Sequence, residues 1–328
     1  MSESLLLQAK KLLEQGELVA IPTETVYGLA ANALNSLAVA KIFQVKNRPT
    51  FDPLIVHTHH ITEIAKYARI FPPILQKLAE KFWPGPLTLL LPKQAIIPDL
   101  VTAGLDTVAL RIPNHSLTIK LLQSLDFPLA APSANPFGYI SPTTAEHVRQ
   151  QLGDKIPLIL DGGASQIGIE STIVGFAQGE VVIYRLGGIS LEEVVKVVGK
   201  VKVNPHSSSN PTAPGMLESH YSPRKPLFIN TIKKELFLNQ GYWEFPQVGK
   251  CIAEEIGVLN FTSTLDYLPL ENQMVLSEKA SFIEAAQHLF AAMRHLDAMK
   301  VKLIITELLP EEDLGRAIND RLRRAVWK

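Results

Sequence analysis

Cysteine is almost missing. Cys251 is the only one in 328 residues, which excludes a disulfide framework and any cysteine-based zinc site and suits a reducing, cytoplasmic setting. Glycine-rich nucleotide motifs are missing too. Gly199-Lys200 is followed by Val201 and Gly249-Lys250 by Cys251, so there is no GxxxxGKS/T phosphate loop, and no GxGxxG occurs. A nucleotide, if one is bound, must be held by scattered side chains. Nor is either sign of charge in excess. The 32 basic and 32 acidic residues divide as 18 and 17 up to position 205 and 14 and 15 beyond it, whereas a protein whose main ligand is a nucleic-acid backbone usually carries a basic surplus. The longest uncharged run, residues 127–145, holds four prolines among its serines and threonines, which excludes a membrane helix there. Residues 1–16 form an amphipathic, charged segment unlike a signal peptide.

What is present alternates between two periods. Leu5, Leu6, Ala9, Leu12 and Leu13 recur at helical spacing and stop at Gly16. Short apolar runs predict strands at 17–21, 54–58, 87–91, 107–112, 128–131, 158–160, 171–174 and 181–184. Helical patterns at 36–46, 61–67, 72–81, 116–125, 144–152 and 191–198 are interleaved with them, and Thr143 or Thr144 ahead of Glu146 reads as a capping box. The pattern predicts one α/β domain on a mixed sheet over residues 1–205. Residues 206–225 lie in a stretch rich in Pro, Ser, His and Asn and read as a linker. Residues 226–328 predict a smaller doubly wound α/β domain. Its strands fall at 227–230, 256–261, 274–276 and 303–306, with a long helix over 281–299 and a terminal basic helix from Gly315.

Candidate chemistry is concentrated in the first domain. Lys46-Asn47-Arg48-Pro49 closes a helix, and its proline turns the chain toward Asp52. Two cations at a helix C-terminus complement its dipole, but fixed at the end of an element they also suit phosphate, Arg48 with two-point contacts and Lys46 as a point charge. His57, His59 and His60 follow a strand without a cysteine or nearby acidic partner, so the spacing favours His57 as a wall of a polar pocket over a metal site, with His59 and His60 solvated. Arg111 interrupts the apolar run Val108-Ala109-Leu110-Arg111-Ile112, and the spacing leaves open whether it pairs with a protein carboxylate or waits for an anionic ligand. Ser133 and Asn135 sit in a polar loop that capping does not explain. Glu170-Ser171-Thr172 follows Asp161-Gly162-Gly163, a turn that permits close backbone approach.

Seven segments in order resemble the YrdC/Sua5 family. They are Pro22-Thr23-Glu24-Thr25-Val26-Tyr27-Gly28-Leu29, Lys46-x-Arg48-Pro49, Pro132-Ser133-Ala134-Asn135, Ser141-Pro142-Thr143, Glu170-Ser171-Thr172, Tyr184-Arg185, and Pro214-Gly215-Met216 with His220-Tyr221-Ser222-Pro223. The resemblance covers the whole chain and is to the long, two-domain form. It implies a twisted mixed-sheet first domain with a concave cleft, a Rossmann-like second domain, and a nucleotidyl transfer. In that reaction L-threonine, bicarbonate and ATP, with Mg²⁺, give L-threonylcarbamoyladenylate and pyrophosphate. The product passes to a threonylcarbamoyl transferase complex that modifies an adenosine of tRNA.

Carried over motif by motif, Thr25, His57, Arg111, Ser171 and the backbone at Ala131 resemble a threonine site. Lys46, Arg48, Asp52, Thr107, Ser133, Asn135, Ser141, Arg185 and Tyr221 resemble an ATP site, with Lys46 and Arg48 the catalytic cations. The chain departs from the pattern at Asp52, where the family usually has Asn, and at Leu217-Glu218-Ser219, where it is often more basic. Two rival readings are a carbamoyl-adenylate transferase of the hydrogenase-maturation type, whose zinc-finger module a single cysteine cannot build, and an RNA-binding or ribosome-assembly protein. Strong direct nucleic-acid binding is not expected from neutral halves that lack an aromatic-basic stripe.

Overall fold

The structure is a computed structural model that describes residues 3–204, 213–217, 220–229 and 232–326. It divides into two compact units. One comprises Met1–Phe137 with Ser141–Glu218, and the other comprises Gly138–Ile140 with Ser219–Lys328. The division falls inside the stretch expected to be a linker: Ala213 to Leu217 belong to the first unit and His220 onward to the second. Residues 205–212, and Glu218-Ser219 of the departing segment, lie outside the described residues.

The first unit is built on ten strands in the order Val201–Val203, Glu180–Arg185, Thr172–Ala177, Leu87–Pro92, Thr107–Arg111, Ile55–His57, Leu129–Ala130, Gly28–Asn32, Val19–Ile21 and Leu158–Ile159. The sheet is mixed: Ile55–His57 runs parallel to Thr107–Arg111, and Thr107–Arg111 antiparallel to Leu87–Pro92. Strand alternation explains what the sheet faces do. Val56, Leu110, Leu89, Val174 and Ile183 point to one face and join Ile42, Phe43, Leu75, Leu78 and Val194 of the helices in the main core. On the other face, Val19, Ile21 and Ala30 are covered by Ala9 and Leu13 of the helix Glu3–Glu14 and by Leu121 and Leu122 of Ser116–Gln123. Across the strands around Leu90, Ala109, Ile55 and Ile173, that second face meets Ala213 and Met216 instead of a helix.

Two local details differ from expectation. Thr144 caps Ala145–Leu152 by accepting from His147 N–H, while Glu146 bonds Arg149 and Gln150, so the expected capping box is not formed. Residues 61–67 are a 3₁₀ turn, Ile61–Glu63, running into the one-turn helix Ile64–Tyr67, instead of one regular helix.

The second unit has a parallel sheet in the order Leu227–Ile229, Leu303–Thr306, Ile256–Asn260 and Gln273–Val275. Asn230, the expected end of its first strand, lies outside the described residues. Phe237, Phe245, Cys251, Val258 and Ile305 form its core. The helices Phe282–Ala298 and Gly315–Ala325 bury Leu289, Met293, Ile318 and Leu322. The terminal helix is not a solvated basic face, because Arg321 and Arg324 are buried beside Asp320 at 3.1 and 3.3 Å.

Candidate active site

The strands that lack a helical cover carry the first group of polar side chains. His57 and Arg111 are directly paired across parallel strands, and alternation puts both on the face shared by Ile55 and Ala109. Both are buried. Arg111 pairs with a protein carboxylate: its Nη2 lies 2.6 Å from Glu24 Oε1, while its Nε donates to the Gly85 carbonyl at 3.3 Å. Glu24 is held in turn by the Asn114 N–H at 2.9 Å. No hydrogen bond reaches Arg111 Nη1 among the described residues, so one edge of a fixed guanidinium stays open. Burial, then the charge of Arg111, takes His57 down from 6.5 to about 3, so its imidazole is neutral, and its Nδ1 has no partner among the described residues.

Thr25 is fully buried, with its hydroxyl 2.8 Å from that of Thr23. Thr88, on the same face, meets Ser171 Oγ at 2.7 Å. The Ala131 N–H is spent on the Ile55 carbonyl, which fixes that backbone just past the end of the interior strand Leu129–Ala130.

The second group hangs from the end of the helix Ser36–Lys46. Asn35 starts this helix by accepting from the N–H groups of Leu37 and Ala38, and Asn47 ends it in the left-handed region at φ 52°. That turn separates the two cations. Lys46 points inward and donates to the carbonyls of Ser133 and Asn135, while the Phe137 N–H returns to the Lys46 carbonyl. Burial and then Arg48 hold the Lys46 ammonium well below the usual lysine range, with Asp52 pulling the other way. Arg48 donates to the carbonyls of Asp52 and Pro53 and sits 2.8 Å from Asp52 Oδ2, a charge contact outside hydrogen-bond geometry. The Asp52 charge therefore faces Arg48.

A third group joins the first. Ser141 donates to Glu170 at 2.6 Å. Arg185 donates to the Ser171 carbonyl and hydroxyl, so a residue expected to bind ATP touches one expected to bind threonine. Gly215 lies against it at φ 71°, where an added Cβ would stand 2.8 Å from Arg185 Nη1. Thr107 faces the same side as Arg111 from the far end of its five-residue strand, ~13 Å away. Tyr221 belongs to the second unit. Its ring stacks on Phe290 with centroids 5.4 Å apart, and the guanidiniums of Arg324 and Arg321 lie 4.9 and 5.5 Å from it. His59 and His60 are remote from these groups in their bonding, His60 capping Ile61–Glu63 through Thr62.

Two family models account for nearly the whole chain. Sua5_yciO_yrdC, described as "Telomere recombination", matches residues 11–187, and Sua5_C, described as "Threonylcarbamoyl-AMP synthase, C-terminal domain", matches residues 189–326. The chain belongs to the Sua5/YciO/YrdC family. It is 39% identical to the threonylcarbamoyl-AMP synthase of Pyrococcus abyssi over 97% of this chain and 92% of that one. It is 40% identical to that of Bacillus subtilis over the same shares. The crystal structure of P. abyssi Sua5 complexed with L-threonine superposes with a TM-score of 0.88 at 37% identity, covering 99% of this chain and 95% of that one.

Within this Sua5-like frame, reasoning from sequence missed four side chains that hold the site together. Glu24 had a visible signal, a carboxylate in an otherwise neutral segment, matched by an unexplained Arg111. Glu170 was visible as a motif residue without a role. Thr23, which orders Thr25 and Val26, was likewise visible only as a motif residue without a role, and Thr88, which orders Ser171, had no signal, because a threonine in a strand is ordinary.

Proposed function

We propose that this protein is a threonylcarbamoyl-AMP synthase, joining L-threonine, bicarbonate and ATP into L-threonylcarbamoyladenylate with release of pyrophosphate. The observation that carries the reading is a single sheet face that brings Arg111 and His57 together, with Ser171 joining that group to Arg185. Full-length likeness to chains of that name supports it.

The threonine amine takes up bicarbonate as a carbamate, releasing water. A carbamate oxygen then bonds to the α-phosphorus while the bond to the β-phosphate breaks, and pyrophosphate leaves with that electron pair. No covalent nucleophile is needed; position and charge neutralisation are. Arg111 would take the threonine carboxylate on its open edge. Neutral His57 and Thr25 would meet the substrate hydroxyl, and Ser171 with the Ala131 backbone would close that side. Arg48 and Arg185 would neutralise phosphates along a loop formed by Ser133, Asn135 and Ser141, with Thr107 and Asp52 nearby. Lys46 would set that loop through its two carbonyl contacts. Tyr221 is assigned to the nucleotide by the family resemblance alone; its ring stacks on Phe290.

Mg²⁺ would arrive with the triphosphate. Among the described residues no three His, Cys, Asp or Glu side chains gather into a metal cluster, and a nucleotide-borne Mg²⁺ needs only phosphate oxygens, water and at most one or two carboxylates. The product's mixed anhydride would serve as the activated donor for a downstream transferase that acts on tRNA, and a cytoplasmic setting suits all three substrates. Among the described residues no helix is long and apolar enough to cross a membrane.

Pyrophosphate release from MgATP tests the reading: it is expected to require both L-threonine and bicarbonate. Release that ignores threonine and follows another amino acid overturns the substrate assignment.

A further inference from the structure

The loop from Ser133 to Ser141 is fixed at both ends by groups of the first unit. Lys46 holds the carbonyls of Ser133 and Asn135 and the Phe137 N–H, and Glu170 holds the Ser141 hydroxyl. Between these ends the chain passes for three residues, Gly138–Ile140, into the second unit. There it is gripped by backbone and side chain alike. Ser222 N–H donates to the Gly138 carbonyl at 2.8 Å, and Arg294 donates to the Ile140 carbonyl. Tyr139 donates its hydroxyl to Asp297 Oδ2 at 2.6 Å, and its ring lies 5.0 Å from the Arg294 guanidinium and 5.7 Å from that of Arg224. Asp297 is itself fixed by the Lys225 N–H at 3.0 Å. Both Arg294 and Asp297 are buried on the long helix Phe282–Ala298. Burial and Asp297 raise the Tyr139 phenol to about 12, so it remains a donor through the physiological range.

We infer that Tyr139, Arg294 and Asp297 are positioning residues for the nucleotide, setting the path of the loop so that Asn135 and Ser141 meet ATP together. This rests on the proposed assignment of Asn135 and Ser141 to ATP. Residues from helix Phe282–Ala298, far along the chain, thereby contribute to affinity for one substrate without touching it. An ordinary structural tether needs neither two carbonyl acceptors nor a charged partner for a lone tyrosine. The grip falls on three consecutive residues and spares Phe137, which returns to Lys46. A glycine opens the segment at φ 79°, a turn that an L side chain would resist.

Full-length Tyr139→Phe, Arg294→Met, Arg294→Lys and Asn135→Ala separate the possibilities, each measured for KM of MgATP, KM of threonine and melting temperature. Losing a hydrogen bond to a charged group is expected to raise KM for MgATP about tenfold or more in Tyr139→Phe and Arg294→Met. KM for threonine is expected to stay within about twofold, and Arg294→Lys to recover part of the loss. Folded variants with an unchanged KM for MgATP, or with both KM values raised equally, overturn the inference. If Asn135→Ala leaves the ATP dependence untouched, the underlying assignment falls and takes the inference with it. If Asn135→Ala raises KM for MgATP and Tyr139→Phe does not, only the inference falls.

Discussion

Arg111 carries a structural ion pair and, in the proposed site, the threonine carboxylate as well. Its pairing with Glu24 is buried on both sides, so Arg111→Ala would strand a carboxylate and cost roughly 3–5 kcal/mol, confusing a folding defect with a binding defect. Arg111→Lys is the cleaner variant, because the ammonium can still face Glu24 while the planar fork that would hold the threonine carboxylate is lost. KM for threonine is expected to rise about tenfold or more, with KM for ATP and the melting temperature little changed. A threonine dependence like that of the wild type, in a folded protein, would leave Arg111 a structural cation only. Asp52 is a second case. Where the family usually has Asn, a carboxylate beside a triphosphate would repel it, yet in the structure Asp52 faces Arg48, which also binds the carbonyls of Asp52 and Pro53.

Among the elements, the turn from Ala213 to Leu217 packs specifically. Met216 and Ala213 cover the apolar floor of Ile55, Ala109 and Ile173, and Gly215 lies on Arg185 in a conformation that favours glycine. Gly215→Ala is expected to cost about 1–2 kcal/mol in backbone strain and to push the Arg185 guanidinium from its place. KM for ATP should therefore rise more than the stability loss alone explains, whereas a variant with unchanged ATP kinetics would make this segment mere packing. The regular elements were the legible ones: helices Ser36–Lys46 and Leu191–Val198 and strand Leu303–Thr306 fall where periodicity puts them. Gly28–Asn32 was missed as a strand because its side chains are small and carry no alternation, although its backbone pairs on both edges. The hairpin of Trp243–Phe245 with Gly249–Cys251 and the short helix Lys234–Gln240 were missed too, because charges such as Glu244 and Lys250 interrupt their apolar pattern. In the site, the cations and hydroxyls were legible as motif residues. Their protein partners were not, since a pair such as Arg111 and Glu24 is created by folding across 87 positions.

At the scale of the whole molecule, the linker is shared between the two units. Its Pro214-Gly215-Met216 part packs with the first, and its His220-Tyr221 part packs on Phe290 in the second. A spacer that only joined two bodies would need neither. The carbamate loses carbon dioxide readily and the product is an anhydride open to hydrolysis, so a site left wet would waste both. We expect the segment from Ala213 to Leu217, which covers Ile55, Ala109 and Ile173, to serve as a lid, with the chain beyond it as its anchor. Two shortened chains test this. One ends at Leu217 and keeps Ala213 and Met216; the other ends at Asn204 and exposes Ile55, Ala109 and Ile173. Both keep the main core and the helix-covered face, so each is expected to melt cooperatively. Product formation is expected to fall strongly in both, because the first loses the anchor and the grip on Gly138–Ile140, and the second loses the cover as well. In Tyr221→Ala of the full chain part of the same loss is expected, with the wasted turnover seen as pyrophosphate released in excess of intact threonylcarbamoyladenylate. Full product formation by the chain ending at Asn204 would remove the lid and leave the second unit outside the chemistry.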